Sequence, residues 1–238
     1  MRHLLAICLL FSFTTASAKL DLTHVVPMCH MDIETLPIRL LEVVNEEVDV
    51  AGNQAIYSIT GTVFLVDDNT WMTAAHIIDD HAIVINTHNA DGSRTPLTII
   101  KSIPEMDLVV LSGDSTGLTP IMVDDRLPIE ELVYNIGYPG FAGDVLVSYA
   151  GIITGTTETK IQTNAAVFSG MSGGPVLWCD GDVLTAFGAI HAFGLGTEHV
   201  SVVTTTGIRV ITITRNNGYS YVIPAIANVL NVVKGEQE

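Results

Sequence analysis

The chain has 238 residues, 48% of them hydrophobic and 15% charged, which excludes a disordered polymer and suits one compact domain or two small subdomains. Its formal charge of −16 comes from 26 acidic against 10 basic residues, a balance that opposes binding to nucleic acid and to anionic membrane surfaces. A charge of that sign is ordinary for a soluble protein outside the cell.

In chain order, residues 1–18 read as a signal peptide. Arg2 and His3 give a short polar start, Leu4 to Phe13 form an apolar run, and Ala16-Ser17-Ala18 supplies the small residues that a signal peptidase accepts. The apolar run is only half of the roughly 20 residues needed to cross a bilayer, so no membrane insertion is expected once the signal is removed. The mature chain would be secreted or periplasmic. Cys8 leaves with the signal, so Cys29 and Cys179 remain, either as a disulfide in an oxidising compartment or as two buried thiols. No spacing resembles a zinc site, and no metal or organic cofactor is implied.

Residues 19–54 are mixed in character and interrupted by Pro27 and Pro37, with an amphipathic element over Leu36 to Val44. They read as an N-terminal arm or a removable pro-segment. From Ala55 onward, short runs rich in Val, Ile, Thr and aromatic residues recur between Gly, Asp, Asn and Pro, the pattern of an all-β sandwich or barrel. Gly113 to Pro128 has a linker's composition and divides these runs into residues 55–120 and 121–238. Asn216-Asn217-Gly218 reads as the turn of a hairpin. Past Pro224 the apolar residues Ile226, Val229, Leu230 and Val233 take helical spacing, so a short helix is expected to close the chain.

Three local patterns carry chemistry. In Gly170-Met171-Ser172-Gly173-Gly174-Pro175, glycines around a serine permit a tight turn that leaves the amides of Gly170 and Ser172 free to face an oxyanion. The alternative is an ordinary glycine-rich hairpin. A serine hydroxyl needs a base, and Thr73-Ala74-Ala75-His76 offers one, with small residues that allow close packing behind the imidazole. In Met106-Asp107-Leu108-Val109-Val110-Leu111 a single carboxylate lies among apolar neighbours, where it needs a donor such as an imidazole N–H. The other reading is an acid bonded to backbone amides at a strand end.

The order His76, Asp107, Ser172 resembles the trypsin-like serine peptidase superfamily, most closely its HtrA-type branch and the glutamyl endopeptidases. Gly61-Thr62-Val63-Phe64, Ile136-Gly137-Tyr138-Pro139-Gly140, Ile161-Gln162-Thr163-Asn164-Ala165-Ala166 and Tyr221-Val222-Ile223-Pro224 extend the similarity from Ala55 to Val233. The resemblance implies two six-stranded antiparallel β-barrels of the chymotrypsin-like type with a short C-terminal helix. It implies a polypeptide substrate, Ser172 as nucleophile, His76 as general base, Asp107 as its orienting acid, and Gly170 with Ser172 as the oxyanion hole. Ala166, Val167, His191, Ala192 and Phe193 would line the substrate pocket, with His191 reading an acidic side chain or the pocket taking a small aliphatic one. Met171 stands where many relatives have an aspartate that pairs with a freed N-terminus, so activation by that ion pair is not expected. No PDZ domain is expected either. Two other readings remain open: a catalytically silent barrel protein that captures partners, and a pro-enzyme blocked by residues 19 to about 50.

Overall fold

The computed structural model describes residues 29, 32–204, 207–224 and 226–237, with backbone alone for 193–219 and 236–237. The signal-peptide reading of residues 1–18 lies outside these residues. The first sheet is built from β1 (Ile38–Val48), β2 (Gln54–Asp67), β3 (Thr70–Ala74), β4 (Ala82–His88), β5 (Arg94–Pro96), β6 (Thr98–Ile103) and β7 (Leu108–Ser112), in the order β5-β4-β1-β2-β3-β7-β6. The second contains β8 (Met122–Val123), β9 (Val133–Gly137), β10 (Val147–Gly151), β11 (Ile153–Thr156), β12 (Ile161–Thr163), β13 (Pro175–Asp180), β14 (Val183–Thr204) and β15 (Gly207–Ile223). Its order is β10-β9-β13-β14-β15-β12-β11, with β8 running parallel to β14. Both are curled antiparallel sheets that form half-barrels, and α1 (Ile226–Gln237) closes the chain. The all-β, two-barrel expectation is borne out. The sheets hold seven and eight strands in place of six each, because very short segments add themselves, β5 at the edge of the first sheet and β8 alongside the start of β14 in the second.

Side-chain alternation explains why the runs are apolar throughout. In β2, Val63 and Leu65 face the interior of the first barrel while Phe64 and Val66 face the seam between barrels. Trp71 and Met72 of β3 divide in the same way, as do Val109 and Leu111 against Leu108 and Val110 of β7. Successive side chains of a strand point to opposite faces, so a strand walled by core on both sides cannot alternate with polar residues. The second barrel repeats the logic, with Val176 and Trp178 turned into its own cluster and Leu177 toward the seam. Ile226, Val229, Leu230 and Val233 of α1 pack into that seam. The helix is capped at a distance, since both carboxylate oxygens of Asp125 accept from the amides of Ala227 (3.0 Å) and Asn228 (3.1 Å).

Two local readings change. Ile38–Val48, inside the segment read as arm or pro-segment, is a strand paired on both edges, by β2 and by β4, with Ile38, Leu41 and Val43 fully buried. Its polar and acidic residues Glu42, Asn45, Glu46 and Glu47 masked the period-two pattern. Asn216-Asn217-Gly218 does not turn a hairpin: β15 runs through it. The ladder there shifts, from Leu195 opposite Asn216 to Phe193 opposite Ser220, so the extra residues are absorbed as an irregularity in one strand. Cys29 and Cys179 form a disulfide that fastens the N-terminal segment to β13 of the second barrel.

Candidate active site

His76 follows β3 in a one-turn helix over Ala75–Ile77, and Asp107 follows another over Pro104–Met106. Because β3 and β7 pair directly, with Ala74 opposite Leu108, the two turns meet at one end of the ladder. Asp107 is held there from both sides. Its carbonyl accepts from the amide of Ala75 at 3.0 Å, and its Oδ1 accepts from the amide of His76 at 2.8 Å. Its backbone is left-handed, with φ 55° and ψ 42°, a conformation that aspartate tolerates better than most residues. Such a turn aims the carboxylate back at the imidazole: His76 Nδ1 donates to Asp107 Oδ2 at 2.8 Å. That bond places the lone pair of the neutral ring on Nε2, where a base requires it.

Ser172 lies in the turn before β13, half-buried. Its carbonyl accepts from the amide of Thr62 at 2.8 Å, and the Thr62 hydroxyl donates to the Gly170 carbonyl at 2.9 Å while accepting from the Tyr138 amide at 3.0 Å. A side chain at Gly173 would fall on the Thr73 hydroxyl and within 2.7 Å of the Ala74 amide, so the loop abuts the strand end that delivers His76. Gly170 takes φ 94° and Gly173 φ 80°, which explains the glycine spacing. Among the described residues, the amides of Gly170 and Ser172 donate to no acceptor, and no hydrogen bond joins the Ser172 hydroxyl to His76.

The pocket residues fare unevenly. Ala166 and Ala192 are half-buried. Val167 is 1% exposed and packs with Met171, Phe187 and Ile190 in the core of the second barrel. Phe193 lies on β14 with its side chain outside the described ones. The segment is anchored by the buried Asn135, whose amide donates to the Ala165 carbonyl at 3.1 Å and to Ser220 Oγ at 2.9 Å.

His191 is placed differently from the sequence reading. The ladder between β14 and β15 shifts between Ile190 and Ala192, and this bulge turns the imidazole onto the aspartate, its Nδ1 in direct contact with Asp107 Oδ2. Its Nε2 accepts from Lys160 Nζ at 2.8 Å, since an ammonium has no lone pair. In this arrangement the Nδ1 proton of His191 faces the carboxylate, and both nitrogens are engaged. No N–H is left to read an acidic substrate. Burial pushes the Asp107 carboxyl up, but the hydrogen bonds from His191 and His76 outweigh it and hold the group well below the usual carboxylate range. Thr62, Lys160 and Asn135 were missed by sequence reasoning. For Thr62 and Asn135 the available signal was a polar residue inside an apolar strand.

The profile of the trypsin-like peptidase domain matches residues 60–184, just over half of the chain. A Chlamydia pneumoniae protein named as a probable periplasmic serine endoprotease, DegP-like, is 32% identical over 145 residues, covering 55% of this chain and 29% of its own length. This chain thus spans less than a third of that relative. Among solved structures, the HtrA-type protease AlgW with a decapeptide superposes with a TM-score of 0.61 at 20% identity, over 84% of this chain and 64% of the other. The serine endoprotease from Yersinia pestis gives 0.57 at 24% identity, over 85% and 64%. At these identities the two structures speak for the fold.

Proposed function

Because the chain belongs to the trypsin-like peptidase family, we propose that it is an exported serine endopeptidase that cleaves polypeptides through an acyl-enzyme. The carrying observation is the His76 Nδ1 to Asp107 Oδ2 bond of 2.8 Å, held by the amides of Ala75 and His76 on Asp107, at the strand end that the Gly173 turn abuts. In this reading His76 Nε2 takes the proton from Ser172 as its Oγ attacks the carbonyl carbon. Asp107 stabilises the imidazolium, and the proton passes on to the leaving amine. The amides of Gly170 and Ser172 receive the oxyanion, a contribution of about 10²–10³ in rate for each donor. Water then attacks the ester with His76 again as base.

The half-buried Ala166 and Ala192 favour a small aliphatic side chain ahead of the scissile bond, and the engagement of both His191 nitrogens disfavours that residue as a reader of acid. Periplasmic naming of the Chlamydia relative agrees with export, and no helix among the described residues is long and apolar enough to cross a membrane. Since β1 supplies fully buried Ile38, Leu41 and Val43, any N-terminal trimming that leaves an active domain stops ahead of Ile38.

The test is labelling by an organophosphonate. Modification at Ser172, lost in Ser172→Ala without a change in thermal unfolding, supports the reading. Peptide cleavage retained by Ser172→Ala would refute the nucleophile, and absence of labelling in every trimmed form would leave the barrels as a binding scaffold. Matched peptides with Val, Glu, Gln and Lys before the cleaved bond should be cut best after Val.

A further inference from the structure

One ring nitrogen each of His76 and His191 and a carboxylate oxygen of Asp107 lie within 4.8 Å of one another, two imidazoles and a carboxylate converging from three parts of the chain. We propose that these three atoms form an inhibitory site for one divalent transition-metal ion of the zinc class. The regulation concerns the site assigned above and so rests on that reading for its consequence, though the binding itself does not.

Both ring nitrogens face the same carboxylate oxygen, so an ion that took the place of this oxygen, with the carboxylate drawn back by one zinc–oxygen bond length of about 2.0–2.2 Å, would find two nitrogens aimed at it and the carboxylate as a third ligand. Zinc bonds nitrogen and oxygen at about 2.0–2.2 Å, which sets neighbouring ligand atoms of a tetrahedral site about 3.4 Å apart. The His76 to Asp107 separation of 2.8 Å is below that spacing and the His191 to Asp107 contact is closer still, so the carboxylate oxygen must draw back from both rings to admit the ion. Two histidines and one carboxylate suit zinc, copper or iron, and do not suit magnesium or calcium. The other carboxylate oxygen is pinned by the His76 amide at 2.8 Å, which orients Oδ2 as an outer partner orients a metal ligand. The His76 side chain is 45% exposed, leaving an open route to the fourth position.

Binding would switch off acyl transfer by tautomer. With the ion on Nδ1, the single proton of each neutral imidazole passes through water to Nε2, and no net charge is gained by either ring. His76 then presents an N–H where it must offer a lone pair, so it cannot take the proton of Ser172. At His191 the relocated proton opposes the ammonium of Lys160, now 2.8 Å from Nε2. Lys160 therefore weakens the site, and this dependence separates it from a chance surface histidine.

The experiment is calorimetric titration of Zn²⁺ into the full chain carrying Ser172→Ala, which prevents self-digestion. One ion per chain is expected. Adding His191→Ala or His191→Gln should weaken binding at least tenfold, and adding Lys160→Met should tighten it several-fold, with circular dichroism confirming that each variant is folded. Co²⁺ in place of Zn²⁺ should give the visible absorption of a four-coordinate nitrogen and oxygen site, absent without His191. No binding up to millimolar Zn²⁺, or equal binding after loss of His191, overturns the proposal. In the wild-type enzyme Zn²⁺ should inhibit reversibly, with activity restored by a chelator. A chain that binds zinc through His191 but hydrolyses no peptide in chelator would instead overturn the peptidase assignment and leave the metal site standing.

Discussion

The amide of Thr62 donates to the carbonyl of Ser172 over 2.8 Å, and this bond ties the serine turn of the second barrel to a strand of the first. The Thr62 hydroxyl doubles the tie, bridging the Gly170 carbonyl and the Tyr138 amide from a fully buried position. Thr62→Val keeps the shape and strands both partners. Leaving buried polar groups unsatisfied costs about 1–3 kcal/mol each, and a misplacement of about 1 Å at a reacting group can cost about 10²-fold in rate. The variant is therefore expected to lose stability in urea and about 10²-fold in acylation of an ester substrate. Unchanged acylation would show that the tie does not position the loop.

Asp107→Asn is expected to fold normally, because asparagine tolerates the left-handed backbone that the residue adopts at φ 55°. It should lower kcat by about 10⁴, the scale of losing the tautomer control that an aspartate exerts on the base. Steady-state kinetics with thermal unfolding as a control decide it. A loss below tenfold would remove Asp107 from the catalytic set.

Asp67, near the end of β2, bonds Lys234 of α1, which holds its carboxyl below the usual range although burial pulls the other way. A carboxyl whose pKa is lower in the folded chain binds fewer protons there than in the unfolded chain. Its stabilisation is complete above the ordinary value of about 3.9 and fades as pH falls through the folded value. Asp67→Asn should thus destabilise at pH 7, and its deficit against the wild type should shrink as pH drops below about 4. Denaturant midpoints across that range check it, and a deficit that grows on acidification would contradict the sign.

Replacing Cys29 by Ser, or reducing its bond to Cys179, opens a link between residues 150 apart in sequence. Closing so long a loop typically contributes about 2–4 kcal/mol. The reduced protein is expected to unfold at lower denaturant, with loss of the anchoring of the N-terminal segment seen as faster proteolysis there.

The readable parts of this protein were those whose cause is local. Leu108–Ser112 is a run whose neighbours alone make it a strand, and the glycines flanking Ser172 announce a turn because positive φ demands them. What could not be read depends on partners far along the chain. β1 hides behind Glu42, Glu46 and Glu47, and only pairing with β2 and β4 makes it a strand. The family resemblance puts His191 on a pocket wall, yet a one-residue bulge decides which way the ring points. The Asp125 cap on α1 spans about a hundred residues, and nothing near either end signals it. The same holds for the three-ligand cluster, whose members obey no metal-binding spacing because tertiary structure alone assembles them.

The left-handed turn at Asp107 also narrows the genetic alphabet at that position. Glycine and asparagine can hold the backbone but carry no negative charge, while glutamate carries the charge on a longer arm and fits the φ of 55° poorly. A selection for regained activity in cells carrying Asp107→Asn should accordingly return aspartate itself, with no substitute acid at this codon.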